Sequence, residues 1–441
     1  MRTAQRTHSK VQDAGKVLPP MLTVIAPADG RVVDIIATES PDQVRDTVER
    51  LRDRSALWRS LGVVGRVNWL GAFRNWLQDN RDGLTTLLAL ETGKTTTEAG
   101  AEVSLALAAL DHHRSHAAEF LRGGHPQLAR RPDAGTQSAL AHQSCRVAGV
   151  IGSWTYPLAL AIFDAVPALV AGAAVVVKPS SRTPLSVRAL VNGWASLGAP
   201  AVFETVAGPE SGPALLDCVD YVRFTGSVET GKVVALRAAA RLIPCCLDLG
   251  GKSAALVLAD ADLDRAAACV ALGGLANSGQ STASIERVYV ESAVYDEFLG
   301  KLAQEAAAFG PMIGDDPGLG VMTSPSQLEL VREQVRDALL KGATLVCGGT
   351  GIGHVFEPTV LGDVDPTMAA LTHQTLGPVL PVVRVADAGE AFDLALRTSA
   401  APAVSVWTAD PVVGAQAVGR FAPARVGVND VAVHLARPAF H

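Results

Sequence analysis

Hydrophobic and polar positions along the chain alternate between two rhythms. Short β-branched runs such as AAVVVKPS suit strands buried on both faces, and longer amphipathic stretches such as TPLSVRALVNGWASLG suit helices. LTVIAPADGRVVDIIA reads as two strands around the turn Pro27-Ala28-Asp29-Gly30. Ser40-Pro41-Asp42 reads as an N-cap and first helical turn. A long helical region is expected from about Gly65 to Leu121, broken near Glu91-Thr92-Gly93-Lys94, with Leu105, Leu107, Ala108 and Leu110 as its apolar stripe. From Gly123 to Arg146 the polar alternation suits an exposed hairpin, which would pair with another subunit or domain. From Ala148 onward a strand-helix-strand rhythm predicts an α/β fold with parallel sheets. VAGVIGSWTYPLALAIF is uncharged, but Pro157 and its turn residues split it into strand and helix rather than a membrane span.

Composition agrees with a large folded core. Of 441 residues, 48% are hydrophobic and 19% charged, with mean hydropathy +0.24. A net charge of -6 argues against nucleic acid as a partner bound through a basic face. The six cysteines are scattered and form no CxxC pair, so neither a disulfide framework nor a structural zinc site is expected, and a reducing, cytoplasmic setting is the default. The first twenty residues are basic and polar with no apolar stretch, which reads as a mobile tail rather than a secretory signal. His112 and His116 share a helix face at metal-ligand spacing, but solvated polar positions are the blander account. The glycine run Gly348 to Gly353 follows a strand without opening a helix and reads as a loop.

Chemistry enters through an ordered series of short motifs: Glu91-Thr92-Gly93-Lys94, Ser153-Trp154-Thr155-Tyr156-Pro157, Lys178-Pro179-Ser180-Ser181, Phe224-Thr225-Gly226-Ser227 with Gly231, Asp248-Leu249-Gly250-Gly251-Lys252-Ser253, Asn277-Ser278-Gly279-Gln280-Ser281-Thr282, Glu357-Pro358-Thr359 and Leu376-Gly377-Pro378-Val379. A strand entering a helix through Gly226-Ser227 offers backbone N–H groups and a positive helix end to a phosphate. Lys178 stands at the carboxyl end of a buried strand, where α/β sheets bind ligands.

Taken in order, these motifs resemble the aldehyde dehydrogenase superfamily over about residues 22 to 430, and STASIERVYV most resembles the succinate-semialdehyde dehydrogenases. The resemblance implies a Rossmann-type dinucleotide-binding domain (22–124 and 147–248), a second, catalytic-type α/β domain (249–425), and bridging or oligomerisation segments (125–146, a β hairpin, and 426–441), with residues 1–21 as the tail. It also implies a homodimer. Family members usually continue well past the Val428-Asn429-Asp430 region, so a chain stopping at His441 implies a curtailed substrate loop and subunit contact.

For the cofactor, NADP or NAD, the resemblance implies that Ser227 faces the pyrophosphate, that Lys178 reaches the adenosine ribose with Trp154 near it, and that Gln374 and Leu376 stand where relatives hold the nicotinamide end with glutamate and phenylalanine. Many NAD-preferring relatives carry glutamate where Ser181 stands. Its loss, with Arg182 following, favours NADP, although Arg182 could equally point to solvent.

The reactive centre departs from the pattern. Family chemistry uses a cysteine thiolate to form a thiohemiacetal that gives hydride to the nicotinamide, and that position aligns with Thr282. A hydroxyl needs an adjacent activating base, and the local motif supplies no histidine. The oxyanion-stabilising asparagine aligns with Thr155 and the glutamate base with the shorter Asp248. Cys246 shares a strand face with Asp248, so a replacement thiol is conceivable, though a buried core cysteine is the commoner state. Three readings follow: a pseudoenzyme that keeps NAD(P) or small-ligand binding, an active oxidoreductase on an aldehyde or its hydrate without a covalent thiol intermediate, and an acyl ester on Thr282. A small aldehyde-like molecule is the expected ligand. No membrane partner is expected.

Overall fold

The computed structural model describes residues 20–121, 127–130, 137–140, 144–310, 318–397 and 402–434. Residues 1–19 of the expected tail and the last seven residues lie outside them, while Met21, at the end of that expected tail, begins the first strand. Met21–Ile25 and Val32–Ala37 pair antiparallel around the expected turn. Ser40 caps the helix Pro41–Ser60 through a full capping box: its hydroxyl accepts from the Gln43 N–H, and the Gln43 side chain accepts from the Ser40 N–H at 2.8 Å.

The long helical region divides into Gly62–Asp79, Arg81–Thr92 and Thr96–Phe120, one break more than the pattern suggested. The additional break falls at Asn80, whose side chain returns to the Trp76 carbonyl and competes with helix continuation. Leu105 and Ala108 are not on the buried stripe of the third helix. Val103, Ala106, Leu107 and Leu110 face the core instead, because neighbouring helices cover that side.

A five-stranded sheet has the order Phe203–Thr205, Ala174–Lys178, Val147–Ile151, Tyr221–Gly226, Cys245–Leu249, all parallel. Numbered along the chain, that order is 3-2-1-4-5, the doubly wound topology whose switch point lies between Val147–Ile151 and Tyr221–Gly226. Its central strands are buried on both faces, which is why they read as unbroken apolar runs. The apolar segment once open to a membrane reading is strand Val147–Ile151, helix Pro157–Ala171 and strand Ala174–Lys178. Gly172, at φ +100°, ends the helix in the left-handed conformation that glycine adopts without strain. Among the described residues no helix is long and apolar enough to cross a membrane.

The second sheet has seven strands in the order Thr344–Cys347, Thr359–Gly362, Val379–Val385, Ile285–Glu291, Ser253–Val257, Ala403–Trp407, Arg425–Val428. Only its first pair runs antiparallel. Gln127–Arg130 and Gln137–Leu140 form the expected hairpin between the two halves of the first domain pattern. The Gly348 to Gly353 stretch is irregular, as read.

Candidate active site

A cavity of about 1030 Å³ opens at the carboxyl ends of the five-stranded sheet, beside its switch point. Ten of the eleven residues singled out from sequence line it: Trp154, Thr155, Lys178, Ser181, Arg182, Gly226, Ser227, Thr282, Gln374 and Leu376. They come from distant parts of the chain and converge because parallel strands deliver their following loops to one edge.

Ser227 is the N-cap of helix Val228–Ala240, and its hydroxyl accepts from the Thr230 N–H at 3.2 Å. Gly231, in that helix, allows close packing on the neighbouring strand, since an added Cβ would come within 2.4 Å of the Leu249 side chain. Lys178 ends its strand half-buried, and burial lowers its ammonium below the ordinary lysine range. Among the described residues no carboxylate pairs with it. The Arg182 guanidinium lies 5.4 Å from the Trp154 ring and donates to the Ser326 hydroxyl at 3.3 Å, spanning to helix Pro325–Leu340. Arg182 lines the cavity and is also exposed to solvent. Gln374 lies across Gly250, and its buried Nε2 has no hydrogen-bond partner.

These features fit a dinucleotide. A cation without a counter-charge, a buried amide donor without an acceptor, and a helix N-terminus converge on one cavity of suitable size.

Thr282 follows a tight turn in which Asn277, Ser278 and Gly279 all have positive φ, at 56°, 53° and 67°. Gly279 approaches the Gly377 backbone so closely that a Cβ would sit 2.1 Å from its carbonyl oxygen. The loop is pinned throughout: the Asn277 N–H donates to Glu98 at 2.7 Å, its side chain to the Thr155 carbonyl at 3.1 Å, and the Ser278 hydroxyl to the Gly320 carbonyl at 2.7 Å. His434 Nδ1 donates to the Ala283 carbonyl at 2.9 Å. The Thr282 hydroxyl itself makes no hydrogen bond to any described residue. Thr155 is buried, with its hydroxyl 3.2 Å from that of Ser153.

Asp248 stands apart from this wall. It lies on strand Cys245–Leu249, exposed, with a carboxylate oxygen 3.8 Å from Arg223, and it does not line the cavity. Cys246 shares its face but is only partly buried, so it is not the core cysteine that frequency alone favours, and it too lies outside the cavity lining. The His112 and His116 rings stack with centroids 4.4 Å apart. Among the described residues no three His, Cys, Asp or Glu side chains are placed to hold a metal.

Several supporting residues escaped the sequence reading. Buried Glu102 accepts from the Leu158 and Ala159 N–H groups at 2.9 and 3.1 Å and pairs with buried Lys94, whose ammonium sits 3.7 Å from the centre of the Tyr156 ring. Buried Glu286 accepts from the Thr375 and Leu376 N–H groups, each at 2.8 Å, and pairs with Lys252 at 2.9 Å. Burial lowers the Lys252 ammonium, and Glu286 works against that shift. Thr95-x-x-Glu98 carries a readable capping-box spacing, whereas nothing local marks Glu286 as a partner of residues some ninety positions away.

A 3-2-1-4-5 parallel sheet with a cavity at its switch point, joined to a second mixed sheet, defines a Rossmann-type α/β protein built on two large sheets. The aldehyde dehydrogenase family model matches residues 17–440, and the chain belongs to that family. It is 34% identical over 416 residues to 4,4'-diapolycopene aldehyde oxidase of Methylomonas sp, covering 93% of this chain and 78% of that protein. It is also 34% identical over 420 residues to a Mycobacterium ulcerans (strain Agy99) protein named "Putative succinate-semialdehyde dehydrogenase (NADP(+)) 2", covering 93% and 81%. The fold matches that of NADP-dependent glyceraldehyde-3-phosphate dehydrogenase from Bacillus halodurans C-125 complexed with NADP, with a TM-score of 0.87, 28% identity, and 93% and 87% of the two chains covered.

Proposed function

We propose that this protein is a divergent aldehyde dehydrogenase that binds NADP or NAD and lacks ordinary cysteine-dependent aldehyde oxidation. In this reading the five-stranded half is the dinucleotide-binding domain and the seven-stranded half the catalytic-type domain. Lys178, Ser181, Arg182, Ser227 and Gln374 would hold the dinucleotide, which supplies a hydride acceptor when bound. Arg182 and the absence of a carboxylate at Ser181 favour a 2′-phosphate, hence NADP.

One observation supports this reading: Thr282, which the family resemblance places at the nucleophile position, lines the cavity that gathers the proposed cofactor residues, and its hydroxyl hydrogen-bonds to no described residue. A neutral alcohol without a base is a poor nucleophile at neutral pH. Thr155, which the resemblance places at the oxyanion position, can still donate one hydrogen bond but is shorter and differently aimed than the family's asparagine, and an oxyanion donor lost outright costs about 10²–10³ in rate. The displacement of Asp248 from the cavity lining weighs against the alternative in which it activates a hydrated aldehyde.

The test combines titration calorimetry with a reduction assay. The wild-type protein is expected to bind NADP and to give no aldehyde-dependent reduction with small alkanals or succinate semialdehyde. Thr282→Cys is expected to create weak, thiol-sensitive reduction, and adding Thr155→Asn to raise it a further hundredfold or more. Thiol-independent turnover by the wild type would refute this reading, as would failure to bind either dinucleotide at millimolar concentration.

A further inference from the structure

Where the seven-stranded half meets the cavity, the segment Gln374-Thr375-Leu376 carries two features that are unfavourable to the protein alone. Leu376 stands at φ +46°, in the left-handed region that a leucine avoids. Gln374 buries an amide nitrogen that has no hydrogen-bond partner among the described residues. Both side chains belong to residues that line the cavity together with Thr282. A segment left to itself would relax out of such a conformation, so something must hold it there.

Two other elements do so. Glu286, on strand Ile285–Glu291, accepts from the Thr375 N–H with one oxygen and from the Leu376 N–H with the other, each at 2.8 Å. Successive backbone N–H groups that converge in this way form a cradle for an anion, and here the carboxylate fills it. Helix Pro325–Leu340 supplies the rest. Gln327 donates to the Thr375 carbonyl at 2.6 Å, and Gln334 donates to the Gln374 carbonyl at 3.1 Å while accepting from the Thr375 hydroxyl at 2.8 Å. Glu286 is only 1% exposed and is anchored by Lys252, whose ammonium lies 2.9 Å from it and 3.1 Å from the Thr375 hydroxyl. Glu286 does not itself line the cavity, so it reaches a ligand only through the segment it holds.

We propose that Glu286, anchored by Lys252, is a positioning residue for the nicotinamide end of the dinucleotide: it holds Leu376 in its left-handed conformation and keeps the unpaired Gln374 amide at the cavity. This inference rests on the NADP reading of that cavity. The strained leucine and the unpaired donor weigh against the free protein, and a ligand acceptor for the Gln374 amide offsets them on binding. Lys178, Ser181, Arg182 and Ser227 belong to the five-stranded half, and no described hydrogen bond links them to Glu286. The adenosine end is therefore held independently of this clamp, and loss of Glu286 is felt by the whole dinucleotide but not by its adenosine half.

The experiment titrates the full-length wild type, Glu286→Gln, and Glu286→Gln combined with Lys252→Met. Each receives NADP and, separately, adenosine 2′,5′-bisphosphate, which keeps the 2′-phosphate and lacks the nicotinamide end. Glutamine offers one acceptor oxygen where two N–H groups each need one, and the double variant removes the ammonium that the single one strands. Both variants are expected to bind NADP more weakly by about tenfold or more, and the bisphosphate within about twofold of wild type. Peptides containing Thr375 and Leu376 are expected to exchange their amide hydrogens faster in both variants. Equal losses for the two ligands, wild-type NADP affinity in a folded variant, or failure of both variants to fold would overturn the proposal. In each of those outcomes a wild type that binds NADP leaves the cofactor reading intact, whereas a wild type that binds neither ligand sinks that reading and this inference with it.

Discussion

Lys178 carries a positive charge into a half-buried position and meets no carboxylate there among the described residues. For the folded chain alone this is unfavourable, since burial penalises the ammonium and nothing returns the energy. It becomes favourable when a polar or anionic ligand enters. Lys178→Met is therefore expected to weaken NADP binding at least tenfold, about 1.4 kcal/mol, while leaving the melting temperature unchanged or higher. Calorimetry and a thermal melt on the same sample read both halves of this expectation. A variant that binds normally, or that loses stability, would show Lys178 to be a structural residue. The same reasoning separates the residues of this site by legibility. Lys178, Ser227 and Thr282 were visible as types at fixed places in short motifs, because each stands at an element end or in a loop within its own motif, and all three line the cavity. Asp248 was placed by the same alignment, yet its carboxylate lies beside Arg223 outside the cavity lining, a placement that no neighbouring residue in the sequence announces.

At the scale of elements, buried carboxylates serve as splints for backbone. Glu91 accepts from Leu185 and Ser186, Glu102 from Leu158 and Ala159, and Glu286 from Thr375 and Leu376. Each joins an element start to a distant segment and so satisfies N–H groups that a helix or loop leaves open. Glu91 shows the cost: burial raises its carboxyl to about 7, even though hydrogen bonds from Ser186 and Leu185 oppose the shift. Glu102 has the largest responsibility, because the helix it splints begins just after Thr155 and its partner Lys94 is equally buried. Glu102→Ala strands an ammonium and two N–H groups and is expected to cost about 3–5 kcal/mol. Adding Lys94→Met removes the stranded charge and should recover part of that loss, as denaturation of the single and double variants would reveal. No sequence pattern announces such splints. Strands and helices were legible because their periodicity is local, whereas Glu102 and Glu286 act across 56 and about 90 positions, respectively, with nothing near them in sequence to mark the partner.

Across the whole molecule, the two sheets meet at a cavity whose rim is pinned from the far end of the described chain. His434, six residues beyond the last strand of the seven-stranded sheet, is buried and donates to the Ala283 carbonyl beside Thr282. The α/β rhythm predicted that sheet; it did not predict this tether, since a single histidine after the final strand has no period to betray it. A carbonyl partner requires a proton on Nδ1, so the neutral ring leaves Nε2 as a buried acceptor, and Nε2 has no partner. Burial chiefly, with Arg425 adding to it, depresses the imidazole to about 4, against the hydrogen bond to Ala283. An unfolded histidine titrates near 6.5. Above that value both states are neutral and the folded form keeps its full stability. As pH falls from 6.5 towards 4 the unfolded chain takes up a proton that the folded one refuses, so stability declines, and below 4 the loss levels off. A shift of this size corresponds to about 3 kcal/mol. His434→Gln retains an N–H for Ala283 but cannot titrate, so it is expected to lose correspondingly less stability than the wild type between pH 7 and pH 4. Buried His113, also lowered to about 4 by burial and its histidine neighbours, remains in both proteins and cancels from the comparison. Melting temperatures measured across that range should diverge by a few degrees at the acidic end, and parallel curves would place the acid sensitivity elsewhere.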